Sequence, residues 1–206
     1  MSTSSERAGN HPGGSYHHGN LRKALLKEGV KLLEEVGEAR FSLRELARRV
    51  GVTANAAYRH FANKEALLMG LAAEGFQLFG SSQASAWQKA DGDVAEKFLA
   101  TGGNYVRFAR RHPALFRLMF GRFAAEHRSD TLDSASTTAF DMLQQGVAAA
   151  VGLPASSGAA RLAAYNAWAV VHGFSHLILD GQIRETATDV EKMVESALRQ
   201  WLSARE

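Results

Sequence analysis

The chain contains no cysteine, which excludes disulfides, thiolate metal sites and cysteine nucleophiles. No apolar run approaches the roughly 20 residues that a membrane-crossing helix needs. The first twenty residues are polar and rich in Gly, Ser and His, so they lack the apolar stretch of a secretory signal. These absences imply a cytoplasmic location and no membrane partner. No alternating strand pattern persists anywhere and no internal repeat is visible, which leaves an all-α reading. Nor is there a nucleophile elbow, a P-loop, an H-E-x-x-H or a glycine-rich strand-turn-helix. Catalysis therefore has no recognisable carrier, and neither enzyme activity nor a cofactor is expected.

What the chain does have is length and an uneven charge. Its 206 residues, 46% hydrophobic and 22% charged, can bury a sizeable core as one domain or two. The net charge is only +3. Residues 1–64, however, carry 11 Lys and Arg against 6 Asp and Glu, or +5, while residues 65–206 carry 13 against 15, or −2. A basic head on a near-neutral body suggests that only the head meets a polyanion.

The most specific segment lies in that head. Ser42 and Glu45 form an S-x-x-E capping box. Leu43, Leu46, Ala47 and Val50 fall at i, i+3, i+4 and i+7, giving one apolar face, with Arg44, Arg48 and Arg49 off it. Gly51 suits a left-handed helix end, and Thr53 can cap a second short helix whose Ala57 and Phe61 face the core. Ala54, Asn55, Tyr58 and Arg59 are then left outward. Two short helices about a glycine turn are the layout of a helix-turn-helix, which presents its second helix to the DNA major groove.

The rest reads as helix after helix. Residues 1–19 look like a disordered arm. Asn20 can cap a first helix ending at Gly37, and Asn63 a fourth running from Lys64 to roughly Ser81. Further helices are expected from Asp93 to Arg111, from Pro113 through Phe123, over 131–151 and over 159–179. A last one opens on a Thr188/Glu191 capping box. The expected architecture is a three-helix head over 20–66 on a helical bundle over 67–206, about nine helices in all.

Together these features resemble the TetR family of bacterial transcription regulators. The carrying residues are Phe41–Ala47, Gly51-Val52, Tyr58–Phe61 and Asn63–Leu68, with Tyr16–Arg22 as a lead-in. The body is similar to a branch with a Trp/His-Gly signature, here Trp168–Gly173, preceded by His112–Phe120. The resemblance implies a homodimeric repressor on a double-stranded, palindromic operator, released by a small hydrophobic effector. It places Ser42, Thr53, Tyr58, His60 and Lys64 on the phosphate backbone or groove wall, and Ala54 and Asn55 near bases. Ala54 departs from the polar residue frequent there, so base readout leans on Asn55, Tyr58 and Arg59. Arg44, Arg48 and Arg49 form a solvated face, some of it within reach of the backbone, and Arg7, His17 and His18 belong to the arm. Each has a plainer reading: Ser42 and Thr53 as caps, and Tyr58 packed on Phe61 or the fourth helix.

In the body, polar-capable residues are interleaved with aromatics, as ligand pockets require. The pocket expected on that basis is lined by Tyr105, Phe108, Phe116, Met119, Phe120, Phe140, Tyr165, Trp168 and His172, although core packing would explain each of them equally. His172 and His176 share a helix face at metal-ligand spacing, but an ordinary helix pair is the better reading and no metal site is expected. The dimer is expected through the two C-terminal helices, using Asn166, Ala169, Val170, Phe174, Leu177 and Ile178 on one and Val194, Leu198 and Trp201 on the other. A different class stays open: a helical small-molecule or metal sensor whose head is structural.

Overall fold

The computed structural model describes residues 18–204, which form ten helices and no strand. The expected arm therefore lies, apart from His18 and Gly19, outside the described residues. α1 (His18–Arg40) is already running at His18, so Asn20 sits inside the helix instead of capping it. It breaks where foreseen, at Gly37, whose φ of +71° suits a residue without Cβ. α2 (Leu43–Val50) ends on Gly51 at φ +77°, and α3 (Ala54–Tyr58) follows at once. Leu25, Leu32 and Leu33 of α1 meet Leu43, Leu46, Ala57 and Phe61 in the head core, all of them essentially inaccessible to solvent.

α4 (Lys64–Lys89) begins on its expected cap, Asn63, whose side chain accepts from Ala66 N at 2.7 Å. It runs well past the expected end at Ser81, through Ser82-Gln83-Ala84-Ser85. Ala84 and Gln83 favour helix while the serines do not, and tertiary contact adds to that weak preference. Asn104, buried on α5 (Val94–Arg111), donates to Ser82 Oγ at 3.0 Å and to Gln83 Oε1 at 2.5 Å. α4 thus crosses the expected head–body boundary at 66/67 as one unbroken rod, burying Leu67, Leu68 and Leu71 on the head side and Phe76 and Phe79 on the body side.

The body packs α5 among α4, α6 (Pro113–Phe120), α8 (Asp130–Ala150), α9 (Gly158–Leu179) and α10 (Ala187–Ser203). A short α7 (Arg122–Glu126), read from sequence as the end of α6, is separated from it by Gly121. A Cβ at Gly121 would sit 2.2 Å from the Arg117 carbonyl oxygen, so an alanine cannot take this turn unmoved. Gly121→Ala is expected to lower stability by about 1–3 kcal/mol, the usual cost of forcing an extra carbon into a packed place, read as a shifted denaturation midpoint at unchanged m-value. A shift within error would show that the turn is not tight.

α10 also departs from expectation. Its cap is Thr186, not Thr188: Thr186 Oγ1 accepts from Asp189 N at 3.3 Å and donates to Asp189 Oδ2 at 2.5 Å. Val194 and Leu198, expected on a dimer face, are fully buried within the protomer against α5. Gly102 makes room for that crossing, since a Cβ there would meet Leu198 Cδ1 at 2.2 Å. Arg107–Glu191 and Arg199–Glu96 ion pairs tie the rims of the same two helices.

Candidate DNA-reading and ligand sites

The outer face of the head is assembled by caps and turns. Thr53 Oγ1 accepts from Ala56 N at 3.2 Å, fixing the start of α3. Ala57 is fully buried, which turns Asn55 and Tyr58 outward; Tyr58 is 42% exposed, so it does not pack into the core. Arg44, Thr53 and Arg59 are exposed beside them, with Ser42, Ala54 and His60 half-buried. Ser42 takes the N-cap backbone conformation of α2, but its hydroxyl makes no cap bond. The expected capping box is absent because Glu45 is turned to arginines: Arg48 at 2.7 Å and Arg49 at 3.2 Å. Arg49 also reaches Glu35 of α1 at 2.6 Å, so it braces α2 on α1 and is not a merely solvated charge. Lys64 directs its ammonium to the Glu38 carbonyl at 2.7 Å and to that of Ala39 at 3.4 Å, closing the end of α1.

The hydrogen bonds from Arg48 and then Arg49 hold the Glu45 carboxyl down at about 2. A carboxyl with a depressed folded-state pKa contributes stability that is fully present above its ordinary value near 4.5 and is lost as pH falls toward about 2. The melting-temperature advantage of wild type over Glu45→Gln should therefore shrink between those limits. A difference independent of pH across that window would show that the network is not formed in solution.

The body holds a cavity of about 860 Å³, partly open to solvent, between α4, α5, α6, α8 and α9. Of the nine residues expected to line it, Tyr105, Met119, Phe120, Phe140, Tyr165, Trp168 and His172 do so. Phe108 and Phe116 do not. Phe108 turns to Phe79 and His112, and Phe116, fully buried, lies beneath Tyr105, Phe120 and His172. Sequence reasoning missed the α4 wall and, apart from Phe140, that of α8, notably Phe79, Gln83, Trp87, Leu132 and Ser136. α8 buries only Leu132, Val147 and Ala148 along 21 residues, a pattern that the folded structure shows and the sequence does not.

A hydrogen-bonded chain crosses the floor of the cavity. Trp168 Nε1 donates to Tyr105 Oη at 3.0 Å, and Tyr105 Oη lies 2.9 Å from His172 Nδ1. The Tyr105 hydroxyl is buried and has no other acceptor among the described residues, so donating to His172 Nδ1 is what satisfies its proton; in that arrangement the ring is neutral, with its own proton on Nε2. Burial, aided by neighbouring His176, pushes the His172 imidazole down to about 4, while burial pushes the Tyr105 phenol up. His176 packs its ring on His172, with centroids 4.6 Å apart. No group of three acidic or histidine side chains placed to hold a metal exists among the described residues. At the rim Arg128 Nε stands 2.8 Å from Asp133 Oδ1, too obliquely for a hydrogen bond.

A helix-turn-helix head joined by one rod to a cavity-bearing helical body defines a ligand-linked DNA-binding protein, and the comparisons agree. The family model described as bacterial regulatory proteins, tetR family, matches residues 25–70, and that of the tetracyclin repressor-like C-terminal domain matches residues 98–201. The chain belongs to the TetR family of transcription regulators. No curated protein matches it. Among solved structures, a Rhodococcus sp. RHA1 protein of unknown function is 32% identical over 89% of this chain and 96% of its own, with a TM-score of 0.74. The fatty acid degradation regulator FadR from Bacillus halodurans shares the fold at 18% identity and TM-score 0.65, over 86% of this chain and 93% of that one. AibR, solved with isovaleryl coenzyme A and operator DNA, shares it at 21% and 0.59, over 84% and 95%.

Proposed function

We propose that the protein is a homodimeric repressor that grips a palindromic operator through α3 and lets go when a small hydrophobic molecule fills the body cavity. The observation that carries this reading is the continuity of α4. Its first turn follows the reading helix directly, and its far half, with Phe76, Phe79, Gln83 and Trp87, is a wall of the cavity. A molecule that favours a wider cavity by pressing on this wall displaces the rod, and with it the head. It can weaken operator binding only by its differential affinity for the two states: a hundred-fold loss needs about 2.7 kcal/mol of preference. That AibR was solved with both an acyl-coenzyme A and operator DNA supports pairing the two ligands on this fold.

The partner surface is the outer side of α9. Leu162, 60% exposed, and Leu177, 46% exposed, lie on one stripe with exposed Asn166, Ala169 and Gly173. Val194 and Leu198 belong inside the protomer, so α10 contributes through its outer residues such as Met193. No described helix is long and apolar enough to cross a membrane. The test is sedimentation and fluorescence anisotropy on DNA from upstream of the protein's own gene. Two protomers per site are expected, with affinity lowered by titrated hydrophobic compounds. Leu162→Glu with Leu177→Glu should yield monomers that bind far more weakly. Monomers that bind as tightly as wild type would overturn the reading.

A further inference from the structure

Resting on the reading of the cavity as the effector site, we propose that it selects an uncharged molecule, aromatic or otherwise apolar in bulk, carrying one hydrogen-bond acceptor that seats on His172 Nε2. The charge balance of the walls comes first. Among the described lining residues the only formally charged side chains are Arg128 and Asp133, and they lie 2.8 Å apart at the rim, each answering the other. The remaining polar lining, such as Gln83, Thr101 and Ser136, is neutral. An ionised group brought inside would shed its water and find no unmatched counter-charge.

The hydrogen-bond chain comes second. With Trp168 donating to Tyr105 and the buried Tyr105 hydroxyl donating to His172, the chain ends in one unused donor, the Nε2–H of His172. That nitrogen makes no hydrogen bond to another described residue, and the ring lines the cavity. The imidazole held down at about 4 keeps this tautomer neutral at ordinary pH, so the donor is a hydrogen bond and not a cation. A carbonyl, ether or similar oxygen satisfies it. The surrounding rings, Phe120, Phe140, Trp168 and Tyr165 among them, offer faces and edges suited to a flat apolar frame. Sequence alone could not show this, because it does not place Tyr105 of α5 between Trp168 and His172 of α9.

The experiment uses the full chain and four probes on one frame: 2-acetylnaphthalene (neutral, acceptor), 2-ethylnaphthalene (neutral, no acceptor), 2-naphthoate (anion) and 2-naphthylmethylammonium (cation). Trp87 and Trp168 line the cavity, so their fluorescence reports binding. The acetyl compound should bind about five-fold tighter than the ethyl compound, the usual worth of one buried hydrogen bond. Both ions should bind at least about ten-fold more weakly than the acetyl compound. The ¹⁵N resonance of His172 Nε2, assigned by its loss in His172→Phe, should move with the acetyl probe and not with the ethyl probe. Either ion matching the acetyl compound, or the ethyl compound equalling it, overturns the proposal while leaving the cavity a binding site. Failure of all four to bind overturns both this proposal and the effector reading beneath it.

Discussion

Asn55→Ala combined with Tyr58→Ala should remove sequence-specific operator binding while leaving weak, salt-sensitive binding to any duplex. Both side chains stand outward on α3, while Ala57 between them is fully buried and carries the packing. Truncating them therefore opens no hole, and the melting temperature should stay within error of wild type. Good base contacts are each worth about 1–3 kcal/mol of discrimination, so losing two amounts to about a hundred-fold or more. Anisotropy on the upstream DNA and on a scrambled duplex of equal length separates the two effects. Equal retention of specific binding would sink the assignment of α3 as the reading element. Lys64→Ala makes the contrast: phosphate contacts position and do not specify, so its loss should weaken both duplexes alike and reduce the salt slope by about one. Because the Lys64 ammonium also closes the end of α1, this variant should melt slightly lower as well.

Phe116→Ala should be the most damaging single change to stability. Phe116 is fully buried, and its ring contacts Tyr105, Phe120, His172 and His176, with centroids 4.9–5.7 Å away. Truncating such a residue costs about 3–5 kcal/mol in transfer and residual cavity terms. The void would lie directly beneath the ligand cavity, so the site should also lose its discrimination between probes of different size. Denaturant midpoints and probe affinities measure the two consequences separately. A loss under about 1 kcal/mol would mean that the cluster closes over the gap and is not tightly packed.

How much of this was legible in the chain depends on whether local chemistry or distant contact decides. The α2–α3 turn was legible because Gly51 needs a positive φ and Thr53 supplies an acceptor within three residues. The start of α10 was not, because Thr186-x-x-Asp189 and Thr188-x-x-Glu191 overlap and either pattern can open a helix; the structure uses the upstream one. The length of α4 was hidden because its polar last turns are held by Asn104, about twenty residues further on. Seven of the nine proposed pocket residues line the cavity: six on α5, α6 and α9, where aromatic and polar groups interleave, and Phe140 on α8. Phe108 and Phe116 have the same chemistry but are covered by the rings that do line it, Phe79 over one and Tyr105, Phe120 and His172 over the other, and only packing reveals that. Likewise Val194 and Leu198 looked like an open face until α5 covered them.

The head touches the body at a second place besides α4. The Glu34 carboxylate of α1 accepts from the first backbone amides of α6, Ala114 N and Leu115 N, at 3.0 Å each. A part pinned along a single shaft still turns about that shaft; a clamp to one side of it removes the turn. Since α6 bears Met119 and Phe120 on the cavity at its other end, a shift of that wall would reach the clamp, and in the proposed dimer the two DNA-facing ends would then be set by torsion as well as by spread.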